Sequence, residues 1–359
     1  MSNKKKVFLA ANSPSGFVSF FDELYNPYRS CRAYIIKGGP GTGKSSFMKK
    51  LASAAEEKGL DVIYVYCSSD PKSLDAVVIP ALSVSVADGT SPHVLEPKFP
   101  GACENILNLG SFWNEKQLFE NADKIRSLTL ENSICHRRST RFLSAAGALI
   151  EENTRLLSPL VIEEKVNGFA RRFCAREGLK KRGAAPGKKQ NCFLSGITPE
   201  GTVFFDETVK ACATRVFAIE DEFGAVSHLL LERIGETAAL GGFDVVFCHC
   251  PLRPKECEHL LIPELSLALV TLRSAHRLDL PVSRTIRAKR FLEPDALRLH
   301  RRRLLLNRRL SQQLTESAVG MLSEAKRLHD ELEGCYVRSM DFEALNEFSK
   351  KFIFSLLGE

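Results

Sequence analysis

The run Gly38-Gly39-Pro40-Gly41-Thr42-Gly43-Lys44-Ser45 fits the pattern G-x-x-x-x-G-K-[ST] at every fixed position. A chain can use that pattern only as a tight turn from a buried strand into a helix, so these residues commit the first part of the sequence to an α/β layout. The flanks agree. Ala33-Tyr34-Ile35-Ile36 is an apolar run suited to a buried strand. Phe47, Leu51, Ala54 and Ala55 recur at the spacing of one helix face, and Gly59 stands where that helix should end.

The residue types carry a chemistry. Glycines let successive N–H groups turn inward on phosphate oxygens, and the helix that follows adds the positive end of its dipole. Lys44 is expected to reach the β- and γ-phosphates and the Ser45 hydroxyl to hold Mg²⁺, with Ser46 closing the cradle. A glycine-rich turn that binds nothing has no need of a lysine and two serines in this register. The expectation is a bound nucleoside triphosphate. No Asn-Lys-x-Asp guanine-reading motif occurs, which favours ATP over GTP.

The chain then repeats itself. Shifted by 183 residues, Gly59-x-Asp61-Val62 falls on Gly242-x-Asp244-Val245, Cys67 on Cys250, Pro71-Lys72 on Pro254-Lys255, and Ser91 and His93 on Ser274 and His276. Ile79-Pro80-x-Leu82 falls on Ile262-Pro263-x-Leu265. Farther along, Asn167-x-Phe169 matches Asn346-x-Phe348 at a shift of 179. At the start, Pro14-x-Gly16 matches Pro199-x-Gly201. We therefore expect two tandem α/β domains with mainly parallel sheets, over 1–177 and 191–359, joined by a basic linker at 178–190 and packed as a pseudo-dimer within one chain. Each copy reads as a strand (7–11 in the first), the loop strand and helix, a third run at 61–67, a loop carrying Asp70 and Asp75, a fourth run at 82–87, a Gly/Pro-rich loop over 88–111, and a long helical arm. The arms span about 114–157 and 295–333.

A magnesium shell needs a carboxylate at the end of an apolar strand. Asp88, after Leu82-Ser83-Val84-Ser85-Val86-Ala87, is the first candidate, and a turn aspartate before Gly89 is the plainer account. Asp70 also follows an apolar run, with a helix N-cap as the alternative. No glutamate follows Asp88, so no water-activating base is identified. The second copy lacks all of this. Asp221-Glu222-Phe223-Gly224-Ala225-Val226-Ser227-His228 stands opposite the loop, Ser227 and His228 replace Lys44 and Ser45, and Thr271 replaces Asp88. Three acidic residues, Glu220 to Glu222, are expected to repel phosphate there. One chain should bind one ATP, and an arginine such as Arg253 or Arg273 could serve the first site from the second copy.

Cys248-His249-Cys250 with Cys257 and His259 offers zinc-ligand types without a zinc spacing, and buried strand-end cysteines account for them better. The tract 284–309 carries ten Lys and Arg against Glu293 and Asp295. A solvated or acid-packed helix face explains it; a nucleic-acid contact is the sharper alternative. At 359 residues the chain has room for two cores, and its net charge is +7. No apolar run approaches a membrane span, and residues 7–11 are too short for a signal peptide. Eleven cysteines then read as reduced thiols of a cytoplasmic protein.

Together the 37–46 loop, Cys67-Ser68-Ser69-Asp70-Pro71, Val78-Ile79-Pro80, Asp88-Gly89-Thr90-Ser91-Pro92-His93 and their second-copy counterparts resemble an uncharacterised family of tandem-duplicated P-loop ATPases found mainly in clostridia-type bacteria. The resemblance covers nearly the full length and implies ATP hydrolysis, without a substrate. In that family the second copy often carries a working loop as well; here it does not. The expected function is a Mg²⁺-dependent ATPase with one site. The alternative is a nucleotide-dependent binding module, acting on a protein or nucleic acid with little turnover.

Overall fold

In the computed structural model, which describes residues 4–25, 32–179, 185–272 and 279–358, apolar runs and helical stripes build two six-stranded sheets and a pair of long helices. The first copy runs β1 (Lys4–Val7), β2 (Ala10–Ser13), β3 (Gly16–Ser19), β4 (Arg32–Lys37), α1 (Lys44–Glu57), β5 (Val62–Tyr66), β6 (Leu74–Ile79), β7 (Val84–Asp88), β8 (Glu104–Asn108), α2 (Glu115–Glu120), α3 (Ala122–Leu157) and α4 (Glu163–Arg176). The second runs β9 (Lys189–Cys192), β10 (Ser195–Thr198), β11 (Gly201–Phe204), α5 (Asp206–Cys212), β12 (Arg215–Glu220), α6 (Ser227–Leu240), β13 (Val245–Cys250), β14 (Arg253–Ile262), β15 (Leu267–Leu272), β16 (Arg284–Arg287), α7 (Ala296–Val337) and α8 (Phe342–Leu357).

The strand orders are β1-β5-β6-β7-β4-β8 and β9-β13-β14-β15-β12-β16, so equivalent strands take equivalent places. Within these sheets pairing is parallel except on either side of β6 and of β14, which run against their neighbours, and β2–β3 and β10–β11 form separate antiparallel pairs. β6 differs from the sequence reading, which left Asp75 in a loop. Leu74, Val77 and Ile79 pack toward α1, while Ala76 and Val78 face the other copy, so this strand is buried on both sides. β8 likewise emerges from the stretch expected to be loop. The first expected strand divides into β1 and β2.

Equivalent residues meet across the two copies. Phe8 N–H donates to Phe193 O at 2.9 Å and Phe193 N–H to Phe8 O at 2.8 Å. Val65, Ala76 and Ala87 of the first sheet share one buried cluster with Cys248, Leu261 and Val270 of the second. The terminal helices are exchanged. Leu345, Phe348 and Phe352 of α8 pack with Phe47 and Leu109 of the first copy. Phe169 and Phe173 of α4 pack with Phe217, Ile234 and Phe291 of the second. The stretch 178–190 therefore divides the sequence repeats but not the packed cores.

α3 and α7, 36 and 42 residues long, lie antiparallel. Leu128 clusters with Leu328 and Leu332, Leu143 with Ala318 and Leu322, and Asn153 Nδ2 donates to Leu304 O. Among the described residues no helix is long and apolar enough to cross a membrane.

Candidate functional site

β4 and β7 run parallel with Ile36 opposite Asp88, so the glycine loop and the carboxylate leave the sheet at one edge. Between β4 and α1 the loop turns through left-handed Gly41 (φ 68°) and Gly43 (φ 85°), where a side chain would be strained. Lys44 opens α1. Its Nζ donates to Gly38 O at 3.0 Å and Gly39 O at 2.9 Å and lies 3.5 Å from Asp88 Oδ2. Asp88 Oδ1 accepts from Thr90 N–H at 2.8 Å and Thr90 Oγ1 at 2.6 Å. Thr42 Oγ1 closes the loop onto Gly39 O at 2.8 Å, and Ser45 Oγ accepts from Leu74 N–H at 3.0 Å. Lys44 and Asp88 are thus brought into contact, with Ser45 beside them and Ser46 in the same first turn.

Asp70 does different work. Its carboxylate accepts from Lys72 N–H at 3.1 Å and Ser73 Oγ at 2.9 Å, which organises the turn from β5 into β6 rather than a helix start. It also lies 3.6 Å from Nζ of Lys326, a residue of α7. The second copy reaches the first site through this arm rather than through Arg253, a contact that the sequence reading did not anticipate. A Cβ on Gly39 would stand 2.4 Å from the Tyr336 ring, and one on Gly41 2.8 Å from the Glu333 carbonyl oxygen. One on Gly43 would stand 3.0 Å from Leu345 of α8. Gly41 is therefore required twice over, by its φ angle and by the arm packed on it, whereas Gly39 is required by the arm alone and Gly43 by its φ angle and α8. His329 Nε2 stands 3.4 Å from Glu333 Oε1 and, with Lys326, holds the Glu333 carboxyl below its usual range against its burial. Burial opposes the charge on Lys326, but Asp330, Asp70 and Glu333 outweigh it and raise its pKa.

The degenerate loop holds an anion of its own. The Asp221 carboxylate is buried inside it: Oδ2 accepts from Val226 N–H at 2.8 Å and Ser227 N–H at 2.7 Å, and Oδ1 from Gly224 N–H at 3.1 Å and Ala225 N–H at 3.3 Å. The acidic run was expected only to repel phosphate. Instead its middle residue occupies the anion cradle and is stabilised there by four backbone donors. Gly38 stands at the position of Asp221 in the first copy and has no side chain to place there.

Arg253 does not serve the first site. It donates to Gly224 O at 3.0 Å and Thr154 Oγ1 at 3.3 Å and pairs with Glu256, all around the second loop. Arg273 lies outside the described residues. In the basic tract, Arg287 lies 3.5 Å from Glu220, Arg303 lies 3.2 Å from Glu152, and Arg308 pairs with Glu222. These pairs fit a helix face packed on acidic neighbours. Cys248 and Cys257 are buried on adjacent strands, with Cys248 Sγ 3.7 Å from Cys192 Sγ.

Comparison of the chain with protein-family models, with curated proteins and with solved structures gives no match. Its two copies are the comparison it carries within itself.

Proposed function

We propose that the chain binds one ATP with Mg²⁺ at the 38–46 loop and hydrolyses it to ADP and phosphate, on two P-loop-like domains of which only the first is active. The observation that carries this reading is the carboxylate of Asp221. In the sister loop an anion takes four backbone N–H groups, so the turn is an anion cradle, and the first copy keeps the turn without the internal anion. To the cradle the first copy adds Lys44 for phosphate charge, and Ser45 and Asp88 as oxygen ligands suited to Mg²⁺. The second copy has Ser227, His228 and Thr271 at those positions. Glu333, whose backbone packs on Gly41, brings an acidic residue of the arm next to the loop, and we assign to it the base that the first copy lacks after Asp88. Contact of Tyr336 and Glu333 with the loop glycines gives nucleotide binding a route to the α3–α7 pair.

The test is calorimetric titration with Mg²⁺ and a non-hydrolysable ATP analogue, alongside steady-state phosphate release. The full chain should bind one nucleotide, and Lys44→Ala should abolish binding or turnover while circular dichroism stays unchanged. A folded Lys44→Ala protein with unaltered affinity and turnover would refute the site. Two comparable sites per chain would refute the assignment of the second copy. Binding without phosphate release, with or without DNA or RNA, would favour a nucleotide-dependent binding module.

A further inference from the structure

A second cluster lies at the same sheet edge, on the face turned toward the other copy. Cys67 follows the last residue of β5, Asp75 is the second residue of β6, and His93 lies in the loop after β7. One donor atom of each lies within 4.8 Å of the other two. The register of β5 and β6 slips between Val65 and Tyr66, which pair with Ala76 and Leu74, so Asp75 is an extra residue turned toward the cluster by a bulge. Phe17, edge-on, and Phe21, tilted, flank the His93 ring with centroids 4.7 and 4.4 Å away and wall the site with apolar surface.

The polar atoms in this pocket are not satisfied. His93 is 7% exposed and Asp75 5%. His93 Nε2 stands 3.0 Å from Asp75 Oδ2, yet Asp75 Oδ2 has no hydrogen bond of acceptable geometry among the described residues, and neither has His93 Nδ1. Leaving such groups buried without partners is unfavourable. A buried thiol and imidazole that both turn to one carboxylate, with His93 Nδ1 and Asp75 Oδ2 left short of hydrogen bonds, are the donor set of a borderline-soft divalent ion. Tetrahedral bonds of that length put donors about 3.3–3.8 Å apart, a small contraction of the cluster.

The duplication supplies an independent observation. At the 183-residue shift, Cys67, Asp75 and His93 fall on Cys250, Glu258 and His276. The second copy lacks the lysine, the serine and three of the four loop glycines but has a thiol, a carboxylate and an imidazole at these three positions. β14 slips against β13 at Glu258 as β6 does at Asp75, although Glu258 accepts from Ser195 Oγ at 2.9 Å and His276 lies outside the described residues. The triad has persisted where triphosphate chemistry has not, so it answers to a different requirement.

We propose that Cys67, Asp75 and His93 bind one Zn²⁺-type ion through Sγ, a carboxylate oxygen and an imidazole nitrogen, leaving a fourth position for solvent. Three protein ligands and an open position are the arrangement of a site that presents a water or a small ligand, rather than a closed four-ligand structural centre.

The experiment uses the full chain, stripped with a chelator and titrated with Zn²⁺ against a competing chromophoric chelator, with Co²⁺ as the spectroscopic probe. The wild-type chain should take up an equivalent of Zn²⁺ that Cys67→Ser and His93→Gln each remove or weaken by about 100-fold or more. Bound Co²⁺ should give a thiolate charge-transfer band and visible bands of tetrahedral intensity; Cys67→Ser should lose the charge-transfer band, and Cys248→Ser should keep it. If the substituted chains fail to fold, the wild-type Co²⁺ spectrum still decides. Absence of a thiolate band at saturating Co²⁺, or Zn²⁺ uptake unchanged in both Cys67→Ser and His93→Gln, would overturn the proposal. ATP binding is measured on the same stripped protein, so failure of the metal site and failure of the nucleotide reading give different results.

Discussion

Replacing Asp221 with alanine should destabilise the chain and leave its nucleotide stoichiometry alone. Hydrogen bonds to a charged acceptor contribute about 1.5–3 kcal/mol each. The two shorter bonds, at 2.7 and 2.8 Å, count in full, and the two at 3.1 and 3.3 Å count for little. That gives about 3–6 kcal/mol, from which the cost of burying the carboxylate must be subtracted, since truncation recovers it. A net loss of about 3 kcal/mol remains, because the N–H groups of 224–227 are left without an acceptor. Urea denaturation followed by circular dichroism should show it as a midpoint lower by about 1 M. Asp221→Asn should recover at most half, since an amide presents N–H to N–H at one of its two positions. Inorganic phosphate or sulfate should then stabilise Asp221→Ala more than wild type, by about 2.7 kcal/mol at a hundred times its dissociation constant. A variant that unfolds at the wild-type midpoint, with no added dependence on anions, would refute the idea that this carboxylate fills an anion cradle.

Two further outcomes follow from the first site. Asp88→Asn should lower Mg²⁺-dependent phosphate release by tenfold or more, on the order expected for a metal-shell ligand, while Mg²⁺-free nucleotide binding holds; a silent Asp88→Asn with that effect from Asp70→Asn would reverse the assignment of the two carboxylates. Glu333→Gln should keep ATP affinity and lose turnover by about 100-fold or more, the range of a general base, and full turnover in a folded Glu333→Gln chain would remove the arm from the chemistry.

Much of the first site was legible because its signals are local. Gly38 to Ser45 carry their requirements in consecutive residues, and the apolar run before Asp88 fixes the edge at which that carboxylate emerges. Strand Leu74–Ile79 was harder to read because Asp75 interrupts a run that is otherwise apolar on both faces. The bulge there aims one polar residue away from the helix side, a tertiary event that no alternation pattern records. β8 was hidden by the glycines and prolines around it. The exchange of α4 and α8 could not be read at all. The two sheets are copies, so the apolar stripe of either helix fits either one, and burial alone does not choose between a local and an exchanged partner. The connections at Trp113 and Val161 decide it: Trp113 bridges to Met340 and Val161 to Leu292, which tie the end of each arm to the other copy.

That exchange determines how the second copy has changed. The register that aligns Asn167 with Asn346 sets Thr154 opposite Glu333, Leu157 opposite Tyr336 and Gly147 opposite Lys326. Thr154 reaches Gly224 through the Arg253 side chain, and the Glu333 backbone meets Gly41 directly, so each arm stands beside the other copy's loop. At two of these three positions the arm that meets the second loop has an uncharged residue, Thr154 or Gly147, where the arm that meets the first loop has Glu333 or Lys326. The second loop likewise has no residue corresponding to Lys44 or Ser45 in type. Loss confined to the loop would mean that the arm is scaffold. Differences on both sides of each contact fit loop and arm acting as one unit. On the function proposed above, a nucleotide site belongs to a copy and its partner's arm together, and the chain would hold one such pair.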